Sequence, residues 1–337
     1  MPRRNPDLNI LHMTTIRKTL GAWLLLLPSL ATAGERTVVS AEVYGHKGET
    51  VRIDCVQTPF IKAEFHNNPG ERHTYAFEAP SEPLLLIVAG KAEVLLGAGD
   101  SVHVVVRMDG RNADCRYSGT PGAVAANELR ARIAGLRREM RYKGQLLACA
   151  VVDVKPAARV ADAKELLAKV GEMAGEAKGK APAELLGYAT AEQEASAYLS
   201  FMEYPKMYEE MRKTPIAEQG IGDYHAIMDG REARSDAAAL ACPEYASFLM
   251  RYCDYRNGKE AAEAGRAYST PETLEEMYAA FKAFYTGGQR DCVLFHLLSN
   301  HIRGGKQTER ALPLYEDYKR ECCTDKEHAR ILGTFMQ

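Results

Sequence analysis

No two of the eight cysteines stand in a Cys-x-x-Cys arrangement. That absence removes the usual dithiol redox motif and the usual zinc knuckle together. A Gly-x-Ser-x-Gly nucleophile elbow and a His-Glu-x-x-His metal helix are missing too. Gly287-Gly288 and Gly304-Gly305 lack the spacing and the lysine–hydroxyl pair of a phosphate loop. Charge of one sign is also in short supply. A net charge of -2 leaves no basic surplus for neutralising phosphates, which argues against nucleic acid as a partner. Beyond residue 30, no stretch approaches the roughly 18 apolar residues that a membrane helix needs.

What is present begins with a leader. Arg17 and Lys18 precede an apolar run from Leu20 to Leu30, and Ala31-Thr32-Ala33 follows as a small-x-small cleavage signal before Gly34. Residues 1–33 are therefore expected to be a signal peptide, with Met13 a plausible start. No cysteine follows the run, so lipid attachment is not indicated. The mature chain is expected in the periplasm or cell envelope, without a transmembrane segment. In that compartment eight cysteines permit disulfides, but their irregular spacing dictates none. Cys322-Cys323 is a vicinal pair, read as two thiols facing different ways at a helix end. Cys242 and Cys253 read as small buried hydrophobes.

Hydrophobic periodicity divides the rest. Residues 34–120 carry about eight short strands: Thr37 to Tyr44, Val51 to Val56, Ile61 to His66, His73 to Phe77, Leu84 to Val88, Glu93 to Leu96, Val102 to Arg107 and Asp114 to Tyr117. Turn signals such as Asn67-Asn68-Pro69-Gly70 and Asp109-Gly110 separate them. This spacing predicts an antiparallel β-sandwich. Leu84 to Val88 lacks alternation and should be a central strand buried on both faces. Past Pro121 the period becomes helical, and residues 121–337 read as an all-α region of short helices, giving an α+β fold. Ala123 to Tyr142 and Ala157 to Lys178 are the first two helices. Gln145 to Val154 fits either a buried helical turn or a strand. A later helix is expected to start with Ser269 as N-cap, Pro271 in its first turn and Glu272 closing a capping box, and Thr324 with Glu327 repeats that device.

None of these features is a catalytic, cofactor-binding or metal-ligating site, and the chain is read as a non-enzyme with no cofactor. Arg130, Arg132, Arg137, Arg138 and Arg141 form a basic cluster best read as a solvated helix face. His296 and His301, five apart, lie off a common helix face. His66 and His73 flank a turn and read as a surface pair across a hairpin. Glu275-Glu276 belongs to a solvated helix face.

One run of features has a recognisable order. Leu95-Leu96-Gly97-Ala98-Gly99-Asp100-Ser101-Val102 leads through a strand to Tyr117-Ser118-Gly119-Thr120-Pro121-Gly122, then to Asn127-Glu128-Leu129 and helices. This resembles the N-terminal region of periplasmic thioredoxin-like proteins of the TlpA type, although alanine replaces the proline of the turn. The closing stretch, Ala311 to Phe335, is similar to the last helices before the thioredoxin domain of such proteins. The family's catalytic domain has no counterpart here, so the resemblance implies fold and compartment but no catalytic residue. It implies an exported binding or accessory module with a protein or peptide partner, a thioredoxin-like protein among the candidates. The alternative is a fragment or split partner of a periplasmic thiol-disulfide oxidoreductase.

Overall fold

Alternation of buried and outward residues builds the first half of the chain. In β2 (Thr50–Cys55), Val51 and Ile53 are buried while Arg52 and Asp54 point out. Val102, Val104 and Val106 do the same along β7 (Ser101–Asp109). The computed structural model describes residues 36–110, 112–141, 154–305 and 308–336. The leader read over residues 1–33, Cys149 and most of Gln145 to Val154 lie outside them.

Among the described residues, eight strands form two four-stranded sheets. One has the order β4-β1-β7-β8, with β1 at Thr37–Tyr44, β4 at Arg72–Phe77 and β8 at Asn112–Gly119. The other has the order β3-β2-β5-β6, with β3 at Lys62–His66, β5 at Leu84–Val88 and β6 at Ala92–Leu96. As its unbroken apolar run predicts, β5 is central, between β2 and β6. The first sheet departs from the expected antiparallel pattern. β1 and β7 are parallel, with Val38 opposite Ser101 and Val43 opposite Val106. A parallel pair needs a long crossover, and here the whole β2–β6 segment supplies it. The two sheets also separate His66 from His73. β3 and β4 belong to different sheets, so no hairpin joins these residues. His73 is buried and stacks on Phe65, while His66 is exposed.

The passage from strands to helices is tightly built. Gly119 has φ +128°, and a Cβ there would lie 2.0 Å from the Ser101 carbonyl oxygen, so only glycine fits. The Thr120 N–H donates to the Ser101 carbonyl at 2.8 Å, and the Ser101 N–H donates to the Thr120 hydroxyl at 2.9 Å. Pro121 then opens α1 (Pro121–Glu139). Asn127, buried on α1, accepts from the Leu95 N–H and donates to the Leu95 and Ala123 carbonyls, all at 2.8 Å. It thereby closes part of the free edge of β6.

Helices follow at α2 (Pro156–Ala177), α3 (Ala183–Arg212), α4 (Ala237–Leu240), α5 (Pro243–Glu263), α6 (Leu274–Phe284), α7 (Gly287–Arg303), α8 (Thr308–Glu321) and α9 (Lys326–Phe335). They are not uniformly short: α3 runs for 30 residues. Residues 213–236 instead carry only two 3-10 turns, because Pro215 and the left-handed Gly220, Gly222 and Gly230 interrupt helical continuation. One continuous apolar core joins buried residues of both sheets to the helices, from Val39 and Leu86 through Leu129 to Phe248 and Leu332.

Three local readings change. The N-cap of α6 is Thr273, not Ser269. Its hydroxyl accepts from the Glu276 N–H, and Glu276 answers by accepting the Thr273 N–H at 3.1 Å. Glu276 is thus a capping residue, while Glu275 pairs with Arg310. Asp325, not Thr324, caps α9, accepting from the Glu327 N–H at 2.8 Å. In the basic cluster, Arg130 is buried rather than solvated, and it meets Glu93 at 2.9 Å and Glu192 at 3.1 Å. This ties α1 to β6 and α3.

Candidate functional site

The β2–β3 loop, the end of α4, α7 and α9 converge on a cleft of about 340 Å³. Gln57 fixes the loop side. Its amide nitrogen donates to the Ala241 carbonyl at 3.2 Å and to the Tyr188 hydroxyl at 3.4 Å, and its oxygen accepts the Leu85 N–H at 3.1 Å. Thr58 reaches Glu327 at 3.3 Å, and the Arg330 guanidinium lies 3.5 Å from the Phe60 ring centroid. One loop residue after another is therefore pinned to α9.

The lining mixes apolar and polar side chains. Leu240, Ile331 and Phe335 provide apolar surface. Along α7, His296, Ser299, Asn300 and Arg303 follow one another at the helical spacing that presents them to one side. None of the residues lining the cleft is an aspartate or a glutamate. The Arg303 guanidinium sits 5.8 Å from the Phe335 ring centroid. His296 is half-buried at the cleft, and desolvation, with the nearby His328 charge, pushes its imidazolium down to about 4. At neutral pH it is an uncharged ring.

His328 reaches the cleft from α9 and is held from behind by Asp291 of α7. Asp291 is 2% exposed. One of its oxygens accepts from the Tyr318 hydroxyl and lies 2.9 Å from His328 Nδ1. The other accepts from the Thr324 N–H at 2.5 Å, the Thr324 hydroxyl at 2.6 Å and the Asp325 N–H at 2.7 Å. Burial alone would raise this carboxyl, but His328, Thr324 and Tyr318 outweigh it and bring Asp291 to about 2. An ionised carboxylate can only accept, so Nδ1 of His328 carries a proton. The imidazole also stacks on Phe295 with centroids 4.0 Å apart. Position and tautomer are both set, which is the second-layer support that a binding or proton-transferring histidine requires.

Burial governs the state of six of the described thiols. The described cysteines are free. Burial pushes Cys55, Cys115, Cys242 and Cys323 above their ordinary value, and Cys253 and Cys292 to about 12. Each is thus poorer in thiolate than a free cysteine at neutral pH. Cys242 and Cys253 are buried, as their aromatic neighbours suggest. Of the vicinal pair, Cys322 is buried and Cys323 half-buried, just after α8. Among the described residues, no group of three His, Cys, Asp or Glu side chains could hold a metal ion.

The sequence alone pointed to no site residue. His296 drew attention only as a partner for His301, and the structure separates their roles: His296 lines the cleft and His301 does not. Asp291 and His328 were missed. The available signal was an acid followed by Cys292-Val293-Leu294-Phe295, a charge at the head of an apolar helix, which calls for buried donors. A second cavity, of about 300 Å³, lies between α3, α5 and the Tyr224–Ala226 turn. There Lys206 and Asp254 meet at 2.9 Å and neutralise each other. Comparison of the chain with protein-family models, with curated proteins and with solved structures finds no match in any of the three.

Proposed function

We propose that this chain is an exported binding or accessory module of the cell envelope. Its two sheets face each other as a sandwich, and it is related to the non-catalytic N-terminal region of TlpA-type proteins. Its ligand seat is the cleft between the β2–β3 loop and helices α7 and α9. The observation that carries this reading is the pairing of a pre-set cleft with a cleft thiol, Cys55, whose burial suppresses thiolate. Asp291 and Phe295 orient His328 at the cleft wall, and Gln57 fixes the opposite side. Meanwhile burial suppresses thiolate at Cys55, the one cysteine lining the cleft. A preformed concavity with a few convergent polar groups is the usual form of a ligand site.

The test joins three measurements. Mass spectrometry of the native protein finds Gly34 at the N-terminus. An insulin-reduction assay with dithiothreitol stays at the uncatalysed rate. A photo-crosslinking amino acid at the exposed Asn300 gives an adduct in intact cells that a crosslinker on the outer face of β8 does not give. An uncleaved leader would sink the export part of the reading. Insulin turnover abolished by Cys323→Ser would overturn the non-enzymatic part. Equal labelling from both positions would remove the cleft as the seat.

A further inference from the structure

From the chemistry of the cleft we infer its ligand class: a small amphiphilic monocarboxylate, an apolar chain ending in one carboxylate. The inference rests on the reading of the cleft as the ligand seat.

Three observations lead to it. The first is charge. The lining contains one permanent cation, Arg303, and no carboxylate. Among the described residues no acid forms an ion pair with Arg303, while Arg330 of α9 is engaged by Glu327 at 2.6 Å. His296 is neutral, and His328 lies against the buried Asp291 carboxylate at 2.9 Å. Among the side chains that line the cleft, Arg303 is the one permanent charge, and one guanidinium matches one anionic group rather than two. Arg303 lies in the last turn of α7, where the helix dipole disfavours anions. That dipole amounts to about half a charge and is shared among several carbonyls, so the full charge of the guanidinium prevails.

The second observation is the order of donors. Asn300 precedes Arg303 by one turn on the same side of α7, and Ser299 lies beside Asn300. An amide, a hydroxyl and a guanidinium within one turn offer more donors than a single carboxylate can use, and charge-assisted bonds of this kind are the strong ones.

The third observation is the apolar part of the lining. Leu240, Ile331 and Phe335 carry no group that could bind a polar tail. A cleft of about 340 Å³ is at the small end of ligand sites, so the apolar part is a short chain or a single ring system rather than a folded partner.

Isothermal titration of the mature protein tests this with octanoate, octanamide and acetate. Octanoate is expected to bind at least about 10-fold more tightly than octanamide, a ratio equivalent to about 1.4 kcal/mol, and acetate more weakly than both. Arg303→Gln should raise the octanoate Kd about 10-fold and leave octanamide unchanged. Arg303→Lys should recover part of the loss, because charge remains while the planar fork is gone. Circular dichroism checks that the variants are folded. Equal affinity for octanoate and octanamide would overturn the proposal, as would an octanoate Kd unmoved by Arg303→Gln. If octanoate fails to bind while the Asn300 crosslink persists, the ligand class is wrong and the cleft keeps its role. If both fail, the seat itself is misplaced.

Discussion

Asn127 and Asp291 are both buried polar side chains that fasten one element to another, one with a neutral amide and the other with a carboxylate. Asn127 uses both ends of its amide, taking one N–H and giving two, and so closes the edge of β6 against α1. Asp291 only accepts, and gathers five donors from α8, the α8–α9 loop and α9. The neutral joint holds the strands to the first helix whatever the pH. The charged joint holds the cleft-bearing corner only while the carboxyl is ionised. The same principle, that a buried polar group must be satisfied, gives one region a constant fastening and the other a conditional one.

The largest effect is expected at Asp291. Asp291→Asn removes the charge and aims an amide N–H₂ at groups that already donate. The loss should be about 3–5 kcal/mol, the range for breaking a buried charged pair. Urea unfolding at pH 7 measures it, and a loss below about 1 kcal/mol would mean that Asp291 is not the fastening of this corner. Asn127→Leu comes next. It leaves the Leu95 N–H and carbonyl without partners away from water, which costs about 2–3 kcal/mol. Unlike the first loss, it should be the same at pH 7 and at pH 3, and a difference between the two would break the contrast drawn here. The smallest effect is the acid dependence itself. The folded-state value of Asp291, about 2, lies below its ordinary 3.8, so its contribution is fully present above about pH 4 and fades as pH falls towards 2. The amount at stake is roughly 2 kcal/mol. Stability measured across that window should fall in the wild type and in Asn127→Leu, with a shallower fall in Asp291→Asn. Parallel curves for all three would assign the acid sensitivity to other carboxyls.

The strands were legible because alternation records burial directly. Val51, Ile53, Val102, Val104 and Val106 state which face is covered. The partner of a strand is not recorded that way, so the parallel β1–β7 pair could not be read from either segment alone. The α6 cap shows a subtler ambiguity. Ser269 with Glu272 and Thr273 with Glu276 carry the same spaced pair, and Pro271 favours the earlier one. The structure takes the later one because Leu274 is the first side chain to enter the core. Asp291 was illegible for another reason. The apolar run after it calls for buried donors, but every donor it gathers comes from residues 318–328, and nothing near position 291 says which residues supply them. His328 inherits that opacity, since it joins the cleft through Asp291 and Phe295 rather than through any motif of its own.

The parallel pairing of β1 and β7 also governs the order in which the chain can assemble. Ser40 and His103, joined across this pair, are 63 residues apart. Between them lie all four strands of the other sheet, whose neighbours are mostly close in sequence. That sheet can therefore zip up through short closures. β1 must wait, its inner edge open, until the chain has looped back as far as β7. Contacts of long sequence separation form slowly because loop entropy is lost before they reward it. The first strand to emerge is thus among the last to be enclosed, and the interval before β7 arrives is when this chain is most exposed to pairing with the wrong edge.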